Sequence, residues 1–525
     1  LLEKNNFDVI VIGSGISALT ISSILARINK KKVLILEQHS RIGGYTHVFS
    51  RKGYTWNVGF HYIGDIFNGK LAGTVLKFIT DGKLLWHKTP EPFESFVYPD
   101  FTFNMYGEEK KFKKDLITLF PTEKKAISAY FRDVKKVKIW FVFYYLCRFM
   151  PAFLSIPLKF MSTAFENLAL MYTDQYLNKR FKNEKLRSII ISQWGNYGLP
   201  PSKSAFVIHG LIATHFMNGG YYPEGGSEEI AKCIVPAILN NGGKVLPNNT
   251  VENIIIENGR AIGVTVSSKE KKEIISKNYY APVIVSSAGA FNTFTKLIPD
   301  EYKPHFTKKC IEINKPSVCV ALYLGLKGNV SSLGFTGANC WIYETTDHEK
   351  CFLNPMLLDG KPSSCFISFT PPDKNTGKVT TATIIASTNY SLFKQWSHQT
   401  IGKRSVEYYK LKEKIAAGLI EFVNKRYPGF APMISYSELA TPLSAEEFTS
   451  SPEGAMYGLP ATPERYRQNW LSVKTPIKGL FLTGADISAL GIVPSMMSGL
   501  ATASFLNGPA GFFKIVGQIR RKCKK

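Results

Sequence analysis

Two groups of residues near the start of this 525-residue chain have the types and spacing to hold a phosphorylated dinucleotide. The first is Gly13-Ser14-Gly15-Ile16-Ser17-Ala18, with Glu37 and Gln38 about twenty positions further on. Gly13 permits a tight turn, Gly15 lets bare backbone approach a pyrophosphate, and Ala18 keeps the next helix close to its strand. The N–H groups that open such a helix attract an anion. Glu37 suits the two hydroxyls of an adenosine ribose and repels a 2′-phosphate. The second group is Arg41-Ile42-Gly43-Gly44, a cation followed by paired glycines, which places charge and bare backbone beside the phosphates. A nicotinamide dehydrogenase has no need of this second cradle. Near the other end, Thr483-Gly484-Ala485-Asp486 closes a short strand and leads through a glycine-rich turn into a helix that includes Val493 and Met496.

Other chemistries lack their residues. The eight cysteines include no Cys-x-x-Cys pair, which makes a disulfide framework or zinc site an unfavoured reading, and the nine histidines include no His-x-x-x-His. No metal is expected. The net charge of +25 fits an anionic membrane surface or a lysine-rich composition bias, and nothing resembles a nucleic-acid module.

The elements that position the first group are a β-branched strand over 7–12, a helix over 19–28 and a second strand over 32–36, a dinucleotide-binding βαβ unit. No cleavable signal peptide is expected ahead of it in this numbering. Tyr222-Pro223-Glu224-Gly225-Gly226-Ser227 predicts a turn and helix cap, and 251–268 a hairpin turning at Glu257-Asn258-Gly259. Strands are predicted over 281–287, 318–324, 365–369 and 380–387, and a helix over 405–427. The aromatic run Ile139–Cys147, flanked by lysines, is too short to cross a bilayer. It suits either a segment lying in a membrane interface or a buried helix lining a greasy cavity. The basic tail Arg520–Lys525 reads as a solvated end or a membrane tether.

The cradle and its flanking motifs resemble the FAD-dependent phytoene desaturase and carotenoid isomerase superfamily, and within it most closely the retinol saturase branch. The segments that carry the likeness are Arg41–Gly44, Gly59-Phe60-His61-Tyr62, Gly195–Pro201, Tyr222–Ser227 and the Asp486 turn. The resemblance implies an α/β fold, with a Rossmann-like, amine oxidase-like FAD-binding domain and an interleaved α+β substrate domain. The chain enters and leaves the nucleotide part twice. The expected division is 1–64, 220–296 and 467–525 for the FAD domain and 65–219 with 297–466 for the substrate domain, the latter carrying a membrane-contact segment over 135–165.

By the same resemblance, Arg41, Gly43 and Gly44 line the flavin diphosphate, Gly59, His61 and Tyr62 lie near the isoalloxazine ring, and Val251 meets adenine through its backbone. Gly484 and Asp486 lie along the ribityl chain, with Val493 and Met496 at a helix start facing the flavin. His61 and Tyr62 are the candidate proton donors; His61 is equally compatible with a core histidine. The implied function is redox or isomerisation chemistry at C=C bonds of a lipophilic polyene, with retinol-saturase-like reduction as the leading reading. A carotenoid isomerase or desaturase, or a non-enzymatic prenyl-lipid escort, is the alternative. A reductase of this kind needs an external electron donor, and peripheral or monotopic membrane association, otherwise a cytoplasmic location, is expected.

Overall fold

The structure is a computed structural model that describes residues 7–524 except 68, 151, 271–272, 329, 336 and 371–378. Pro151, inside the expected membrane-contact segment, and Lys525 of the basic tail lie outside the described residues.

A five-stranded parallel sheet runs in the order Leu480–Leu482, Val283–Ser286, Val9–Ile12, Val33–Leu36, Lys244–Leu246. Every residue of Val9–Ile12 and Val33–Leu36 is buried, as a parallel sheet covered on both faces requires. Alternation decides which cover each side chain meets. Val9, Val11, Val33 and Ile35 pack with helices Ile16–Asn29, Glu228–Leu239 and Ile492–Leu506. Ile10, Ile12, Leu34 and Leu36 pack on the opposite face, against an antiparallel sheet of Asn249–Glu257, Arg260–Glu270 and Glu273–Tyr280. The expected hairpin is the first pair of that sheet. Its third strand, polar and half exposed, gave no apolar alternation to announce it.

The second large sheet has seven strands in the order Ile434–Ala440, Val318–Leu326, Thr381–Thr388, Ser364–Phe369, Asn339–Tyr343, Glu94–Val97, Thr102–Met105. All of its pairings are antiparallel save that of Asn339–Tyr343 with Glu94–Val97. Helix Val406–Arg426 shares a core with it, and a helical layer containing Lys124–Leu146 and Phe206–Phe216 joins its other buried residues.

One local expectation needs correction, and at Trp140 a choice left open is decided. Ser227 stands where helix Glu228–Leu239 begins but makes no cap; its hydroxyl donates to Asn57 Oδ1 at 2.7 Å, tying that turn to the chain just before His61. The aromatic run is the last third of the 23-residue helix Lys124–Leu146, and its Trp140 is buried against Tyr144 and Tyr466, not presented to an interface. Ile139 and Val142 of the same run are exposed, as are Ile156, Phe160 and Met161 on the following helix Ala152–Thr163. Among the described residues no helix is long and apolar enough to cross a membrane.

Candidate active site

The strand Val9–Ile12 delivers the chain into the glycine turn, and Gly13 adopts φ +89°, a left-handed geometry that a side chain would strain. Helix Ile16–Asn29 then begins at Gly15 with no side chain capping it, so its first N–H groups face an open space. Glu37 is buried at the end of the second strand. One oxygen accepts from the Ser14 N–H at 2.8 Å and from its hydroxyl at 2.6 Å; the other accepts from the His39 N–H at 2.8 Å. The Ser14 hydroxyl also accepts from the Gly43 N–H at 3.1 Å. Ser14 is therefore the joint between the two cradle segments. At Gly44 the φ is +55°, and a Cβ there would sit 3.1 Å from Gly15 Cα. Two stretches of bare backbone thus lie together, with room for an anion and none for a side chain.

These segments open on one cavity of about 1200 Å³. That exceeds the roughly 300–1,000 Å³ of ordinary small-molecule pockets and leaves space for a cofactor and a substrate together. Gly13, Ser14, Gly15, Glu37, Gln38, Arg41, Gly43 and Gly44 line its cradle end, with Val251. Gly59, His61, Gly484 and Asp486 line it further along. Ala18 packs inside its helix against the sheet core. Gln38 donates to the Phe448 carbonyl at 3.3 Å and accepts from the Ser450 hydroxyl at 2.8 Å, fastening the cradle to helix Pro442–Thr449. Arg41 is exposed at the rim.

At the far end, helix Ile492–Leu506 also starts without a side-chain cap, giving the cavity a second set of free N–H groups. Ile492 and Ser495 face the cavity, whereas the side chains of Val493 and Met496 are turned into the core beneath, so only their backbone is placed to serve a cofactor. Asp486 accepts from Leu459 N–H at 2.9 Å with one oxygen and from Ala290 N–H at 2.7 Å with the other. It staples two distant turns to the strand end, and each oxygen keeps a lone pair for a further donor. Arg465, which the sequence did not single out, is fully buried behind this turn. Its guanidinium donates to the carbonyls of Leu459, Ala485 and Ser488.

The remaining wall is apolar and aromatic: Trp194, Trp341, Tyr343, Phe366 and Ile385 line it together with Asn196. His61 contacts Phe366 edge to face, and its Nδ1 is 2.8 Å from the Ser368 hydroxyl. Burial pushes its pKa down to about 4, so the imidazole is neutral at pH 7 and a weak acid source. Tyr62 lies behind the wall, its hydroxyl donating to Glu94 and receiving a hydrogen bond from Asn196 Nδ2 at 3.1 Å. Glu94 is wholly buried and also accepts from Gln193 and, at 3.2 Å, from Trp341 Nε1. It has three donors and no cation among the described residues. Burial raises its pKa to about 7, and burial followed by the Glu94 charge drives the Tyr62 phenol well above its usual value. The structure joins the two sequence candidates to different partners, and brings in Glu94 as, among the described residues, the one carboxyl beside the aromatic wall with a pKa near neutrality. A lone acid within Pro92-Phe-Glu-Ser-Phe-Val-Tyr98 was the available signal.

Comparison with known proteins agrees with this reading. Residues 11–75 match the NAD(P)-binding Rossmann-like domain and residues 213–298 the GMC oxidoreductase family. All-trans-retinol 13,14-reductase of Danio rerio is 31% identical, over 95% of this chain and 86% of its own length. Prolycopene isomerase of Arabidopsis thaliana is 25% identical over 97% of this chain and 84% of its own. Among solved structures, putrescine oxidase superposes with a TM-score of 0.60 at 13% identity, covering 95% of this chain and 99% of that one, which speaks for the fold.

Two uncapped helix starts, bare backbone at Gly15 and Gly44, and the buried Glu37 at a strand end fit a dinucleotide such as FAD. Fold and site define a FAD-dependent oxidoreductase with a Rossmann-like cofactor unit. The chain belongs to the all-trans-retinol 13,14-reductase family.

Proposed function

We propose that this oxidoreductase saturates a C=C bond of a conjugated isoprenoid polyene of the retinoid class. The observation that carries the reading is the single cavity that joins a dinucleotide cradle to a wall of tryptophan, tyrosine and phenylalanine beside a carboxyl of near-neutral pKa. Bound FAD supplies the two-electron chemistry of such a reaction. The chain's own residues do the rest. Ser14, Glu37, Gly43 and Gly44 bind the adenosine and diphosphate, with Arg41 at the rim; Asp486 and the Ile492 helix start orient the remainder. Trp341, Tyr343 and Phe366 exclude water and hold the flat polyene. Glu94 holds a proton on its carboxyl, in hydrogen-bond contact with the Tyr62 hydroxyl and through it with Asn196, which faces the cavity.

We likewise propose that the two interleaved units divide at residues 64/65, 219/220, 296/297 and 466/467. Electrons come from a separate donor in this proposal, since FAD takes the one dinucleotide turn found on the parallel sheet among the described residues. The test is to reduce the FAD-loaded protein chemistry-free of air, with light and a sacrificial donor, in the presence of all-trans-retinol. Loss of polyene absorbance with a gain of two hydrogens in the product is expected. An isomer of unchanged mass would favour the redox-neutral reaction suggested by the prolycopene isomerase likeness, and failure to take up FAD would overturn the enzyme reading altogether.

A membrane surface is the proposed source of the substrate. Phe160 is 79% exposed and Ile156 68%, beside Met161 and the cation of Lys159. Replacing Ile156 and Phe160 with serine is expected to release the protein from anionic liposomes in flotation, without loss of bound FAD. Undiminished flotation would exclude this face.

A further inference from the structure

One charged group in the cavity has no partner that the cofactor reading supplies. Arg404 lines the cavity and is 7% exposed. Its guanidinium lies over the Tyr408 ring, 5.1 Å from the centroid, and among the described residues its one hydrogen bond is a long 3.5 Å contact from Nη1 to the Tyr408 hydroxyl. Its Nε is buried without an acceptor, and among the described residues it forms no ion pair. A guanidinium has five donors and keeps its charge, so leaving it buried and unmatched is costly. A neutral hydrocarbon or an alcohol does not offset that cost.

The neighbours indicate the kind of anion. Lys412, half-buried, and Glu438 line the same stretch. The Glu438 carboxylate accepts from Tyr436 at 2.7 Å, and the Tyr408 hydroxyl is engaged with Thr441 at 2.8 Å. Arg404, Lys412 and, on the exposed edge, Arg51 outnumber the carboxylate of Glu438, so this stretch suits an anion, while Glu438 disfavours one of high charge such as a diphosphate. The planar fork of arginine matches a carboxylate through two parallel hydrogen bonds.

We propose that Arg404 is the headgroup site for a lipophilic monocarboxylic acid, whose apolar body occupies the aromatic part of the cavity. This rests on the reading of that cavity as a polyene site, and it adds that an acid form binds there in preference to the alcohol.

The test uses the FAD-loaded full chain and tryptophan-fluorescence titration with all-trans-retinoic acid, all-trans-retinol and oleate. The wild-type protein is expected to bind the retinoid acid more tightly than the alcohol. Arg404→Met is expected to weaken the acid by roughly 10- to 100-fold, the range of a lost charged hydrogen-bond pair, while leaving the alcohol and the FAD content unchanged. Arg404→Lys, which keeps the charge and loses the fork, should fall between the two. Equal wild-type affinity for acid and alcohol would overturn the proposal, as would a parallel loss of both ligands, or a loss of FAD, in the methionine variant. Oleate separates this from the polyene reading: oleate bound by the wild type and lost in Arg404→Met sustains the carboxylate site even where neither retinoid binds.

Discussion

Gly44→Val is expected to yield a folded protein that purifies without FAD. The position requires φ +55°, and the added Cβ would stand 3.1 Å from Gly15 Cα, in the seam where both cradle segments present bare backbone. A β-branched residue in the left-handed region costs about 1–2 kcal/mol. That alone is bearable in a chain of this size. The larger effect is geometric, because the valine must either push Gly15 off the diphosphate position or occupy that position itself. Gly53→Val is the control: its φ is +84°, a similar strain, but nothing lies within 4 Å of the added carbon. Flavin absorbance of the two purified variants, with thermal unfolding of each as a check on folding, decides the matter. Stoichiometric flavin in Gly44→Val would show that the two segments do not close on the cofactor.

Glu94→Gln is expected to lower the reductive rate by about 10²- to 10⁴-fold, the usual range for removing a proton donor, with FAD content unchanged. The substitution keeps the shape of the side chain and an oxygen for Trp341, so packing is preserved. The pH profile separates chemistry from structure. With its pKa raised to about 7, Glu94 carries its proton below neutrality and loses it above, so a reaction drawing on that proton slows as pH rises through 7. The titratable neighbours that share this environment are Tyr62, Tyr343 and Cys340, all pushed up by burial and so neutral over that range. Glutamine should abolish the alkaline fall, and aspartate should restore part of the rate with the fall intact. A glutamine variant of full activity, or one with the same alkaline fall, would remove Glu94 from the proton path.

The cradle was readable in the sequence because its chemistry depends on backbone. A glycine that must stand at positive φ, or let two chains meet, leaves its identity in the sequence, and an acid at the end of a buried strand has one common use. The strands at 318–324, 365–369 and 380–387 were readable for a similar reason, since short β-branched runs bounded by turns have few other fates. The second half of the site was not. Glu94 and Arg465 are ordinary surface residue types; Glu94 is buried by partners such as Trp341, 247 positions away, and Arg465 by a turn that folds the carbonyls of Leu459, Ala485 and Ser488 around its guanidinium. No local pattern carries that information. Trp140 shows the same limit from the other side: its aromatic, lysine-flanked setting fits an interface or a buried helix alike, and the packing of Tyr466 on it, from far along the chain, together with Tyr144 makes it core.

The order of the parallel sheet bears on how the protein is made. The cofactor turn lies at residues 13–15, but the strand that completes its sheet is Leu480–Leu482, and Asp486 must arrive before the turns at Ala290 and Leu459 are held. Ribosomes add about 5–20 residues per second, so roughly half a minute to a minute and a half separates the first half of the cradle from the last. Until Val283–Ser286 is made, the strand Val9–Ile12 has one unpaired edge, and from then until Leu480–Leu482 arrives the unpaired edge is that of Val283–Ser286. FAD cannot template the early stages of folding here. It acts once the Asp486 turn has joined the cradle, as a late seal on two halves made far apart.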